Sequence, residues 1–361
     1  MNKLKKYAAS RSGRDTLLSF GIVIVAFVVV QALVLTGSIS SSMKGLLVPI
    51  CAYIIMAVSL NLTVGILGEL SLGHAGFMSV GAFSGIVVTT SLADTIPSGV
   101  VRLILAIIVG AICAAIAGVI VGVPVLRLKG DYLAIVTLAF GEIIKNIINV
   151  LYIGKDASGL HFSILEQKFT LDETGSMIIN GPMGVSGVEK LSSFVSGFIL
   201  ILITLFIILN LINSRAGRAI MSVRDNKIAA ASIGISTTRY KLMAFVISAA
   251  FAGMAGTLYG MNYTTITAAK FDFNTSILIL VFVVLGGLGN IWGSIIAATL
   301  LTVLPEMLRE VGNYRMLIYA ILLIAMMLFN NSSLKQRILE KRGMKQMEKL
   351  ENAGQSGKEG A

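Results

Sequence analysis

The chain has 361 residues, 56% of them hydrophobic and only 13% charged, with a mean hydropathy of +0.88 and a net charge of +11. Soluble globular chains carry about 25% charged residues, so the composition excludes an ordinary soluble domain and points to a protein built for a bilayer. The positive charge does not indicate nucleic acid, because the basic residues concentrate in the tails and in selected loops, as the positive-inside rule expects.

Charge-free windows occur at 16–43, 45–68, 103–126, 191–214, 242–269, 273–305 and 316–334. Each reaches roughly the 20 apolar residues that a spanning helix needs. Continuous hydropathy without ten-residue alternation means helices and excludes an outer-membrane barrel. Ten hydrophobic segments follow, near 17–36, 44–64, 74–92, 101–125, 132–152, 194–213, 239–261, 275–288, 291–308 and 316–331. The expected fold class is therefore all-α: a polytopic helical membrane protein with interrupted helices. The first run is too long for a cleaved signal peptide and is expected to stay as a helix.

An even number of spans puts both termini on one side. Lys3, Lys5, Lys6, Arg11 and Arg14 mark the N-terminal tail (1–15) as cytoplasmic, and Lys335, Arg337, Lys341, Arg342, Lys345 and Lys349 do the same for the tail 332–361. The transmembrane domain spans 16–331. Its outer loop, 153–193, carries mixed charges, and a loop at 214–238 falls inside together with Arg127 and Lys129.

Two stretches break the helical rhythm: GILGELSLGHAGF (65–77) and VLGGLGNIWGS (284–294). Irregular backbone at membrane depth is stable only where protein buries it or where it lines a water-filled cavity. One glycine-interrupted segment in each half also fits transporters built from inverted repeats. In AGMAGTLYG (252–260), Gly256 and Gly260 form a GxxxG contact face for close helix packing.

Few ionisable groups lie in or near the apolar zone: Glu69, His74, Asp131, Glu142 and Lys145. Glu142 and Lys145, spaced i, i+3, can pair on one helix face. Asp131 follows LRLKG and can cap a helix. Glu69 and His74 flank SLG at a helix break, where pathway lining and local structure are both open. Cys51 and Cys113 fall in apolar runs and read as buried small residues, not as a disulfide or metal site. No phosphate loop of the form G-x-x-x-x-G-K-[ST], no H-E-x-x-H and no G-x-S-x-G is present, and only two histidines occur, His74 and His161. The inventory is poor for a proton or sodium relay and for an enzyme. Free energy for transport would come from another chain.

SRAGRAIMSVRDNKIAAASIGIS (214–236) places Arg215, Arg218, Arg224, Asp225 and Lys227 in one hydrophilic stretch. GRAIMSV can form a turn or two of helix. Asp225 is expected to N-cap NKIAAASI, and Gly234 to end it as the C′ residue. Ile220, Val223, Ile228 and Ile233 alternate with the basic residues. Physics leaves two readings open, an amphipathic segment on anionic headgroups and a docking helix for a cytoplasmic partner.

That stretch, followed by TRYKLMAFVISAAFAGMAGTLYG, resembles the cytoplasmic loop and next helix of ABC-importer permeases of the branched-chain amino acid type, in the LivM-like branch. GELSLGHAGFMSVGAF (68–83), LRLKGDYLAIVTLAFGEI (126–143) and GGLGNIWGSIIAATLLTVLPEMLR (286–309) agree in order, covering most of 45–331. Glu69 stands where the family usually has glutamine and Ser294 where proline is common; NGPMGV (180–185) matches the family's outer loop only loosely. The resemblance implies an ABC importer permease fold, closest to type II importers. It also implies a LivH-like permease subunit, two ABC ATPase subunits and an extracytoplasmic solute-binding protein as partners in the lipid bilayer, with no nucleic acid. No cofactor is expected on this chain; ATP and magnesium would sit on the ATPases.

By the same resemblance, Gly217, Arg218, Val223, Arg224, Asp225, Lys227, Ala230 and Gly234 belong to an ATPase-coupling helix. Glu69, Ser71, Leu72, Gly73 and His74, facing Gly286, Gly287, Gly289 and Asn290, would line the translocation pathway. The expected protein is a non-enzymatic, multi-pass subunit of a bacterial plasma or inner membrane that imports branched-chain amino acids. Rival cargoes are urea or amides, nucleosides and sugars. The rival of another class is an ion-coupled secondary transporter.

Overall fold

Each of the ten hydrophobic segments forms a helix, and two short helices lie between the sixth and seventh. The structure, a computed structural model, describes residues 11–37, 40–128, 131–156, 159–167, 169 and 175–330. In chain order the helices are α1 (Arg11–Leu35), α2 (Ser41–Asn61), α3 (His74–Ser91), α4 (Gly99–Val125), α5 (Asp131–Asn149) and α6 (Phe194–Asn213). Then come the short α7 (Arg215–Asp225) and α8 (Lys227–Ser232), followed by α9 (Thr237–Gly260), α10 (Phe273–Gly286), α11 (Ile291–Met307) and α12 (Arg315–Asn330). Among the described residues, five stretches are long and apolar enough to cross a membrane: Ser41–Ile66, Gly99–Val125, Tyr132–Asn149, Phe194–Asn213 and Thr237–Gly260. The basic tails at 1–10 and 331–361, Lys129 and the Asp131 side chain lie outside the described residues.

Two compact units divide the chain, Met1–Val303 and Leu304–Ala361. In the smaller one, a 3-10 turn at Leu308–Tyr314, with Gly312 at φ 61°, leads into α12. In the larger one, α2 is the most enclosed span; it packs with α6, α9 and α10, and α9 in turn packs with α3 and α4. Glycines set the spacing of this core. A Cβ on Gly256 would sit 1.9 Å from the Met78 carbonyl oxygen of α3, and one on Gly253 would sit 2.4 Å from Ala114 Cβ of α4. Backbones can approach this closely only where no side chain intervenes, so α9 is wedged between α3 and α4. Gly256→Ala is expected to cost roughly 1–3 kcal/mol through overpacking, read as an earlier detergent melt. The open Gly21, with nothing within 4 Å, should accept alanine without loss.

The 153–193 region contains a sheet that the sequence reading did not foresee. Strands β1 (Leu151–Asp156), β2 (Gly159–Ile164) and β3 (Ser176–Asn180) pair antiparallel in the order β2-β1-β3, with Leu151 opposite Ile164. A two-stranded ribbon, β4 (Val185–Ser186) with β5 (Thr265–Ile266), joins this region to the segment after α9. Ion pairs fix it to the helices. Lys155 Nζ lies 2.5 Å from Asp94 and donates to the Ser91 carbonyl at 2.9 Å, while the buried Arg102 meets the exposed Glu189 at 2.9 Å.

Hydrogen bonding and charge from Lys155 hold the Asp94 carboxyl below the usual carboxylate range. A group whose folded pKa is depressed stabilises the fold above its unfolded pKa and loses that contribution as pH falls through the folded value. Exchange protection of β1 should therefore be full at neutral pH and fall on acidification below the ordinary aspartate range. Lys155→Gln should flatten that dependence.

Candidate functional site

The hydrophilic stretch folds as two helices, the first of which meets the first break. Ser214 caps α7, its Oγ accepting from Gly217 N–H at 3.1 Å. The absent side chain of Gly217 allows a tight turn, since a Cβ there would sit 2.2 Å from the Leu211 carbonyl oxygen. The N-cap of α8 is Asn226, whose Oδ1 accepts from Ile228 and Ala229 N–H at 3.0 Å each. Asp225 was expected in that role. It instead ends α7 and pairs with Arg224 at 2.9 Å; both residue types cap well, and the chain places the non-helical position one residue later. Gly234, at φ +86°, follows α8 as the sequence anticipated.

The four isoleucine and valine positions divide between two faces. Ile220 and Val223 turn inward, and Ile220 packs with Leu62, Ile66, Leu67 and Ala244. Ile228 and Ile233 point outward, 83% and 75% exposed, alongside Lys227 and Arg218. Ala230 is buried. Ile228 and Ile233 are therefore the open apolar side chains of this stretch, while Ala230 faces inward.

Arg224 reaches across to the first break. There α2 widens into a π-helical turn, Leu62–Ile66, and the chain leaves the helix until Gly73, the N-cap of α3. Gly68, at φ +80°, makes the bend, and the Arg224 Cγ occupies the space a Cβ would take, 2.6 Å away. Arg224 Nη1 donates to the Gly65 carbonyl at 3.2 Å. A widened turn frees backbone acceptors that need partners, and the guanidinium supplies one.

The second break joins the first through Asn61. Gly287 and Gly289, at φ +95° and +81°, turn the chain between α10 and α11. Gly289 N–H donates to Asn61 Oδ1 at 2.8 Å, and Asn61 Nδ2 donates to Ser294 Oγ at 2.9 Å. Gly286 lies against the Gly293 backbone, and Asn290 Oδ1 accepts from Gly293 N–H at 3.2 Å. A proline at 294 would offer no hydroxyl to Asn61.

The pathway candidates around the first break are not equally open. Glu69 forms an ion pair with Lys241 at the start of α9, both side chains largely enclosed. His74 is buried and exchanges a 2.8 Å hydrogen bond with Ser59. Leu72 N–H donates to Thr137 Oγ1 at 3.1 Å, and Gly73 lies against the Thr137 carbonyl. Ala75 N–H donates to Ser276 Oγ at 3.1 Å. Ser71 Oγ and Thr63 Oγ1 are buried without a partner. Glu142 and Lys145 form the i, i+3 pair expected of them. Among the described residues no three His, Cys, Asp or Glu side chains group as a metal site would require.

The sequence model of a family described as "Branched-chain amino acid transport system / permease component" matches residues 42–329. The chain belongs to this family. The permease is 36% identical over 296 residues to the "High-affinity branched-chain amino acid transport system permease protein LivM" of Salmonella typhimurium, and 35% identical to the Escherichia coli protein of the same name. Each match covers 78% of this chain and 67% of the relative. "High-affinity branched-chain amino acid transport system permease protein BraD" of Pseudomonas aeruginosa is 25% identical over 292 residues, covering 79% of this chain and 92% of that protein. No solved structure gives a significant match. The apolar spans and the family make the permease a multi-pass membrane protein, and both breaks, Asn61, α7 and α8 fall inside the matched region.

Proposed function

We propose that the permease forms, with a LivH-like permease subunit, the pathway of an ATP-driven importer for branched-chain amino acids. In this reading α7 and α8 face the cytoplasm and dock on one of two ABC ATPases, which hold ATP and magnesium; the chain itself is not an enzyme. Both termini share that side, and the β1–β3 sheet faces an extracytoplasmic binding protein. The cargo comes from the names of the relatives, which are transport permeases for branched-chain amino acids.

One observation carries the mechanism: Arg224, on the docking stretch, holds the Gly65 carbonyl of an interrupted helix that Asn61 ties to the second break. A partner that pushes α7 therefore pushes irregular backbone, which can rearrange, and not the side of a closed helix. Rigid-body motion of a packed element is how such a displacement reaches a distant site.

Reconstitution with the ATPases, the second permease and the binding protein should give ATP-dependent leucine uptake, which unlabelled isoleucine and valine should inhibit. Uptake by the purified chain under an ion gradient without ATPases would overturn the reading, as would competition by urea, nucleosides or sugars with none from valine.

A further inference from the structure

Three spans of the larger unit are poorly enclosed: α4, α5 and α6. On α4 the open positions are Ile104, Ile108, Ile112, Ile116, Val119 and Ile120, and on α6 Val195, Ile199, Ile203, Phe206 and Ile207. Hydrocarbon suits both faces. On α5 the open stripe runs through Ile135, Ala139, Ile143, Asn146 and Ile147. Along one edge of it lie Glu142, Lys145 and Asn149, each partly open; the Glu142 side chain is 33% exposed.

On a helical wheel at 100° per residue, Glu142 and Asn149 fall about 40° and 60° from Asn146 on the same side, so the open arc is apolar on one flank and polar on the other. Glu142 lies seven residues before the end of α5, about 10 Å inside it. A carboxylate at that depth cannot reach the bilayer surface as a lysine can, and an open ion pair beside two amides would be costly against lipid. The opposite side of α5 is already committed: Thr137 and Gly141 pack on Gly73 and Gly76 of the first break.

We infer that the polar-edged stripe of α5, from Ile135 to Asn149, is the surface on which the second permease subunit docks. The facing helix would carry amide or hydroxyl side chains opposite Glu142, Lys145 and Asn146, with its apolar part against Ile143 and Ile147. The already neutral Glu142–Lys145 pair requires no opposing charge from the partner, only hydrogen-bonding groups and water. The first break then stands one helix behind the subunit boundary, and α5 is the wall between them.

The inference rests on the permease-subunit reading, and the test separates the two. Benzoylphenylalanine is placed at Ile143 or Asn146, and for comparison at Ile112 on α4 or Ile203 on α6, in the full complex. Co-purifying ATPases and retained ATP-driven uptake establish that each labelled complex is the importer. Irradiation should then join the α5 positions to a second permease chain and leave the α4 and α6 positions without protein adducts. Adducts of the α5 positions to lipid alone, within the same chain, or to an ATPase or the binding protein would overturn the inference. As a second reading, Ile143→Arg should cut recovery of the second permease at least tenfold with membrane insertion intact, whereas Ile112→Trp should leave it unchanged; equal recovery from both variants would also overturn it.

Discussion

Lys241→Ala is expected to destabilise the permease by about 3–5 kcal/mol, the usual consequence of removing one partner from an enclosed ion pair. Lys241 is buried at the start of α9 and its partner Glu69 is mostly enclosed in the first break. Without the ammonium, the Glu69 carboxylate is left in a low-dielectric setting beside a chain segment with no helix to brace it. The double replacement Glu69→Gln with Lys241→Met should recover most of the loss, because removing both charges of such a pair is often neutral. Denaturant melts of the three proteins in detergent check this. A single variant as stable as the double would mean that the pair contributes nothing. The Lys241 pairing gives the glutamate at 69 a physical reason.

Gly65→Ala should be the other severe change, at roughly 3 kcal/mol, the upper end of ordinary overpacking. Its Cβ would fall 1.9 Å from Asn61 Oδ1 and 2.2 Å from Gly289 N. Neither neighbour can retreat easily: Asn61 is held at both ends, and Gly289 contributes backbone. Relief would require parting the two breaks, so transport should fall together with stability. Gly45→Ala is the control, since nothing lies within 4 Å there. If Gly65→Ala matches that control in melting and uptake, the contact between the breaks is unimportant.

Helix positions were legible because the bilayer imposes a length and an absence of charge, and the segments read near 194–213 and 291–308 coincide with α6 and α11 almost to the residue. The breaks were legible because glycines cluster at 65–77 and 284–294. What joins them was not. Asn61 showed only as one polar residue inside the window 45–68, and its partners Gly289 and Ser294 lie 228 and 233 residues away. Lys241 lies just before the window that opens at 242, and nothing in its local pattern marks Glu69, 172 residues away, as its partner.

The β1–β3 sheet escaped because its strands are five or six residues long and carry Lys155 and Asp156. Pairing of such strands is decided by partners across the sheet more than by propensity. The division of Ile220 and Val223 from Ile228 and Ile233 could not be read either. It depends on the non-helical Asn226 (φ −155°), which turns α8 away from the axis of α7. Arg224 was picked out for its charge, as a contact for the ATPase. Its link to Gly65 is a tertiary fact that no local pattern encodes.

That link is the centre of the proposed mechanism, and the ratio of leucine imported to ATP hydrolysed in proteoliposomes tests it most directly. Charge-assisted hydrogen bonds contribute about 1.5–3 kcal/mol, and 1.4 kcal/mol is a factor of ten. Arg224→Ala should therefore keep the ATPases bound and hydrolysing while the ratio falls at least tenfold. A ratio equal to that of the unaltered importer would contradict transmission through Arg224 and Gly65.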